Sequence, residues 1–145
     1  MKDFFAGNWN FTREIYNGKT LYAQGKGEAV FLANESGKEL TYHEKGNITL
    51  TDNQTKIPFY RSFLYAFERE KLAVFFNDGM DKGKLYQHYI YNADEQLIQS
   101  VCEHLCVADN YDGKYFLTDK NHFRLVTHIH GPKKDTIIHT TFHRN

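Results

Sequence analysis

Turn-forming clusters recur about every ten residues along the whole chain. They include Asn17-Gly18, Ser36-Gly37, Lys45-Gly46-Asn47, Asp52-Asn53, Asn77-Asp78-Gly79, Lys82-Gly83, Asn92-Ala93-Asp94, Asp112-Gly113, Asp119-Lys120-Asn121 and Gly131-Pro132. Between them lie short runs rich in Phe, Tyr, Val, Ile and Thr, the residues that fit a pleated, half-buried surface. This spacing predicts strands over about 8–16, 20–33, 39–46, 48–51, 57–68, 71–77, 84–91, 96–107, 113–118, 122–130 and 135–143, with 48–51 a short extension. A single helical turn fits residues 3–6, and 66–72 is too short for a helix of consequence. A wide antiparallel meander exposes two edges, and closing it on itself removes both. The expected fold is therefore all-β: an up-and-down barrel of nine or ten strands forming one domain over residues 1–145, with a two-sheet sandwich as the alternative.

Composition narrows the partners. The chain of 145 residues has 18 basic and 18 acidic side chains, which cancel, so nothing favours nucleic acid or an anionic membrane surface. No apolar run approaches the roughly 20 residues of a spanning helix, and the Met-Lys-Asp-Phe-Phe-Ala start lacks the longer apolar stretch of a secretory signal. Cys102 and Cys106 on one strand would lie about 13 Å apart, beyond disulfide reach, and read as reduced core residues. The expected location is the cytoplasm, where the sequons at Asn10, Asn34, Asn47 and Asn53 have no role.

On several strands the face that carries large rings also carries a charge. Phe59, Arg61, Phe63 and Tyr65 share one side of their run, as do Leu40, Tyr42 and Glu44, and as do Trp9, Phe11, Arg13 and Ile15. Simple alternation likewise groups Tyr86, His88 and Ile90, and Cys102, His104 and Cys106. A charge on a core-facing side is costly unless it is paired or meets water and a polar ligand. Arg13, Tyr42, Glu44, Arg61, Tyr65, His88 and His104 are thus the candidate ligand-binding residues. Arg61 is the expected anion anchor, because a guanidinium holds a carboxylate by two parallel hydrogen bonds, and Glu44 is expected to orient it. The competing reading makes Arg61 and Glu44 a structural ion pair in a filled barrel.

Two further groups are weaker. His128 and His130 fall on one face, and a hairpin pairing 128 with 139 would bring His139 beside them, with His143 further along. Three or four imidazoles can hold a transition metal, yet Phe123, Leu125 and Ile129 claim the core side. The histidines are therefore expected to face solvent, and no metal site is assigned. Gly131-Pro132-Lys133-Lys134-Asp135 reads as a hairpin turn, because no helix follows it as a phosphate loop requires.

Gly7-Asn8-Trp9 near the start, with Arg144 near the end, resembles the lipocalin and fatty-acid-binding barrels of the calycin group. There, an Arg of the last strand packs on the Trp of the first. The order Arg13, Tyr42-His43-Glu44, Arg61-x-x-x-Tyr65, Glu103-His104-Leu105-Cys106, Asp109-Asn110-Tyr111, Phe123-Arg124-Leu125 and Gly131-Pro132-Lys133-Lys134-Asp135 is similar, over nearly the full chain, to an uncharacterised bacterial family of small lipocalin-like domains. Thr127 departs from it, standing where an aromatic residue is commoner. The resemblance implies a barrel and transfers no activity.

The expected function is a small-molecule-binding barrel for a ligand with an aromatic or aliphatic body and an anionic end, with no cofactor. The alternatives are an isomerase- or lyase-type enzyme using Glu44 and His104 for proton transfer, haem binding through an inward histidine, and a structural domain without a cavity.

Overall fold

The computed structural model describes residues 1–101 and 110–145. One helical turn, α1 (Lys2–Phe5), precedes ten antiparallel strands. These are β1 (Gly7–Asn17), β2 (Thr20–Ala33), β3 (Glu39–Leu50), β4 (Lys56–Glu68), β5 (Lys71–Phe76), β6 (Leu85–Asn92), β7 (Leu97–Ser100), β8 (Asn110–Asp119), β9 (His122–Gly131) and β10 (Lys134–Arg144). Each pairs with its sequence neighbour, and β10 returns to β1 in register from Trp9↔Arg144 to Asn17↔Thr136, which closes the barrel. The expected meander and its closure are both present, so no sheet edge is left between first and last strands.

One departure from the sequence reading has a local cause. Lys45-Gly46-Asn47 is not a turn but the middle of β3. Gly46 lies directly opposite Gly27 of β2, in a row that runs Phe11, Gly27, Gly46, Phe59. A methyl group on either glycine would collide with backbone of the other strand, and at Gly27 also with the Phe11 ring. The missing side chains let the two strands cross closely and leave lumen space for the flanking rings of Phe11 and Phe59, 6.1 Å apart. Of the strand expected over 96–107, β7 covers Leu97–Ser100, and the stretch with Cys102, His104 and Cys106 lies outside the described residues.

Aromatic packing seals the end that carries α1. Phe5 is fully buried there, with its ring 5.2–6.2 Å from those of Phe31, Tyr65, Tyr115 and Phe123. Burying such a side chain contributes about 2–3 kcal/mol. Trp9 Nε1 donates to the Phe5 carbonyl at 2.8 Å. Arg144 stacks its guanidinium 4.1 Å over the Trp9 ring and donates to the carbonyls of Ala6 and Phe4, at 2.8 and 2.5 Å. The last strand thus ties down the plug that the first residues form. By strand direction, the turns after β1, β3, β5 and β9 gather at the opposite end.

Candidate functional site

Inside the barrel, beyond the Phe5 layer, lies a cavity of about 350 Å3. Alternation places its lining: β1 sends in Arg13 and Ile15, β3 Tyr42 and Glu44, β4 Arg61, Phe63 and Tyr65. Five of the seven sequence candidates therefore meet at one void. His88 does not. It pairs with Ala73, which sits between the buried Leu72 and Val74, and so it faces out. The cause is a bulge: Val74 pairs with Gln87 but Phe75 pairs with Leu85, leaving Tyr86 as the extra residue. Beyond the bulge the parity of β6 is reversed, so Tyr86 and Tyr89 both line the cavity while His88 and Ile90 border a groove on the outer wall. His104 lies outside the described residues.

The pairing within the cavity also differs from expectation. Glu44 and Arg61 are cross-strand neighbours in the β3–β4 ladder, yet Glu44 reaches over β2 to Arg13. Arg13 Nη1 and Nη2 donate to Glu44 Oε2 and Oε1 at 2.8 and 3.0 Å, and Arg13 Nε donates to Thr140 Oγ1 at 2.9 Å. Tyr42 Oη donates to Glu44 Oε1 at 2.6 Å. The Arg13 guanidinium lies 4.7 Å over the Phe11 ring and 5.6 Å from that of Phe59. Burial alone would lower the Arg13 pKa, but the hydrogen bonds and charge of Glu44 raise it above its ordinary value. The pair is internally neutral, and Glu44 is occupied by three donors.

Arg61 is placed differently. Its side chain is 46% exposed at the cavity rim. Nε donates to Asp78 Oδ2 at 3.4 Å, while the Ser62 amide donates to that same oxygen at 2.8 Å. Asp78 is thus anchored to backbone and holds Arg61 only loosely. The guanidinium sits 5.0 Å over the Phe63 ring, and among the described residues no hydrogen bond engages its two Nη groups.

The deeper wall is phenolic. Tyr65 and Tyr115 share a hydrogen bond of 2.7 Å between hydroxyls, and the Tyr89 ring is 5.2 Å from that of Tyr115. Burial pushes the phenols of Tyr42, Tyr65, Tyr89 and Tyr115 up, so they remain protonated donors. Tyr115, Tyr89 and Thr140 were not singled out from the sequence. Tyr115 alternates with Gly113 and Leu117 on a buried face, which marks it as core without marking it as polar wall. Thr127 lines the cavity, and its small side chain leaves open the volume that an aromatic residue there would fill.

The outer histidines follow a different register from the one expected. His128 pairs with Ile137, and His139 with Val126. His128 Nε2 lies 2.7 Å from Asp135 Oδ1, and His130 Nε2 lies 3.0 Å from Asp112 Oδ2, with the two imidazoles 4.7 Å apart. Among the described residues no three His, Cys, Asp or Glu side chains converge to hold a metal.

Residues 5–144 match the model of a family of unknown function, DUF6314. A comparison with curated proteins gives no match. Among solved structures, an S-type phycobiliprotein lyase from Guillardia theta superposes with a TM-score of 0.64 at 10% identity, covering 99% of this chain and 90% of that one. A protein of unknown function from the DUF3598 family of Nostoc punctiforme also gives 0.64, at 7% identity; all of this chain is covered, and it spans about half of that longer protein (49%). These likenesses establish a lipocalin-like, calycin-type barrel and no activity.

Proposed function

Because the chain belongs to DUF6314, a family of unknown function, its role has to be read from its own cavity, and we propose that it is a small-molecule-binding barrel. The ligand has an aromatic or aliphatic body seated among the rings and an anionic group, such as a carboxylate, held at the rim by Arg61. The observation that carries this reading is the contrast between the two arginines. Arg13 is consumed by Glu44 and Thr140, whereas Arg61 stands at the cavity rim with a loose partner at 3.4 Å. The cavity of about 350 Å3 falls within the range of small-ligand sites.

The alternatives have less support. Glu44, holding three hydrogen bonds, is a poor proton shuttle, which weighs against acid–base catalysis through it. The haem reading asks for an inward histidine; His88 faces the outer wall, and His104 lies outside the described residues.

Calorimetry with decanoic acid and decan-1-ol tests the proposal. Decanoate is expected to bind, and Arg61→Gln to weaken it about tenfold or more, the size of a lost charge-assisted hydrogen bond, with decanol unaffected. Equal decanoate affinity in the variant, or no binding of either probe, would overturn it.

A further inference from the structure

The Tyr65–Tyr115 pair holds one proton more than the described residues satisfy. Two hydroxyls carry two protons, and their mutual bond of 2.7 Å uses one. Extending the chain to Tyr89 changes nothing, because a linear chain of hydroxyls always has one fewer bond than protons. Both phenols are buried, at 4% and 2% exposure, and both line the cavity. Among the described residues no acceptor takes the remaining O–H. A buried donor without a partner is costly, so the surplus proton favours an acceptor inside the cavity. The protein does not offer its own carboxylate for this, since Glu44 is already filled by Arg13 and Tyr42.

We infer that the ligand of this barrel carries a neutral hydrogen-bond acceptor, a carbonyl, at its inner end, received by the Tyr65–Tyr115 hydroxyl pair, in addition to the anionic group at the mouth. The inference rests on the binding role proposed above and deepens it to a ligand class: an elongated oxo-carboxylate. Spacing along β4 sets its length. Arg61 and Tyr65 are four residues apart along β4 and both line the cavity, about 13 Å of strand, which sets the polar ends on the order of 10 Å apart.

The test compares 9-oxodecanoic acid, whose extended chain sets ketone and carboxylate near that separation, with decanoic acid by calorimetry on the full chain. The oxo acid is expected to bind about three- to tenfold more tightly, the range of one net hydrogen bond. The double variant Tyr65→Phe/Tyr115→Phe is expected to abolish that gain, so that the two acids bind it with equal affinity. Removing both hydroxyls takes away the Tyr65–Tyr115 bond together with both of its partners, so the variant is expected to fold; its thermal transition verifies this. Equal affinity of the two acids for the unsubstituted chain, or a gain that survives in the double variant, overturns the carbonyl assignment while an Arg61-dependent decanoate affinity leaves the binding role standing. If neither acid binds, both fall.

Discussion

Glu44 is buried and the Arg13 side chain is 15% exposed, and the pair sits beside an open cavity. Such pairs contribute little net stability, because desolvation offsets their attraction, but removing one partner strands the other. Glu44→Ala is therefore expected to lower unfolding free energy by about 3–5 kcal/mol in urea titrations. The double replacement Arg13→Met/Glu44→Leu is expected to cost much less, because no charge is left unpaired. Much of this was legible residue by residue. Alternation alone sends Arg13, Tyr42, Glu44, Arg61 and Tyr65 inward, and the cost of burying charge marks them as special. The choice of partner was not legible. Glu44 and Arg61 are ladder neighbours, but a long side chain in a closed lumen can reach a strand two places away, and Arg13 offers a two-pronged fork together with the Thr140 anchor.

Elements bend where a residue is missing or added. Gly27 and Gly46 face each other across β2 and β3 so closely that neither has room for a methyl group. Gly27→Ala and Gly46→Ala are each expected to destabilise the barrel by about 3 kcal/mol, the upper end of overpacking costs. Gly25→Ala, whose added carbon would meet neighbours at 3.2–3.6 Å, is expected to be milder; thermal melts of the three variants would rank them. The sequence reading took Gly46 as a turn because glycine beside Lys and Asn has that signature. Its strand role depends on Gly27, nineteen residues earlier. The β6 bulge is the same kind of fact. Parity counting through Leu85–Ile90 puts His88 inside, and one extra residue at Tyr86 reverses it. The histidine hairpin shows register rather than parity at fault: all of His128, His130 and His139 are on the expected outer side, but His139 is two places from where the simple pairing put it.

Across the whole molecule, the closed barrel makes the protein a store of protonated phenols. Burial holds the pKa values of Tyr42, Tyr65, Tyr89 and Tyr115 above the ordinary 10.0. A group whose folded pKa exceeds its unfolded value contributes its full stability below the unfolded value and loses it as pH rises toward the folded one. Stability is thus expected to be flat below pH 9 with respect to these groups. Above about pH 10 it should fall by about 1.4 kcal/mol per pH unit for each tyrosine. Urea titrations between pH 9 and 11, followed by tyrosinate absorbance, would check this, and Tyr65→Phe/Tyr115→Phe should make the slope shallower by the share of those two phenols. What the linear chain decided alone is the meander, the inward faces and the need to close, because turn chemistry and two-residue periodicity are local. Closure itself brought β10 against β1, set Arg13 rather than Arg61 on Glu44, and joined Tyr65 to Tyr115 fifty residues away. Those contacts depend on shear, bulges and glycine gaps summed around the whole ring, and no local stretch of sequence contains that sum.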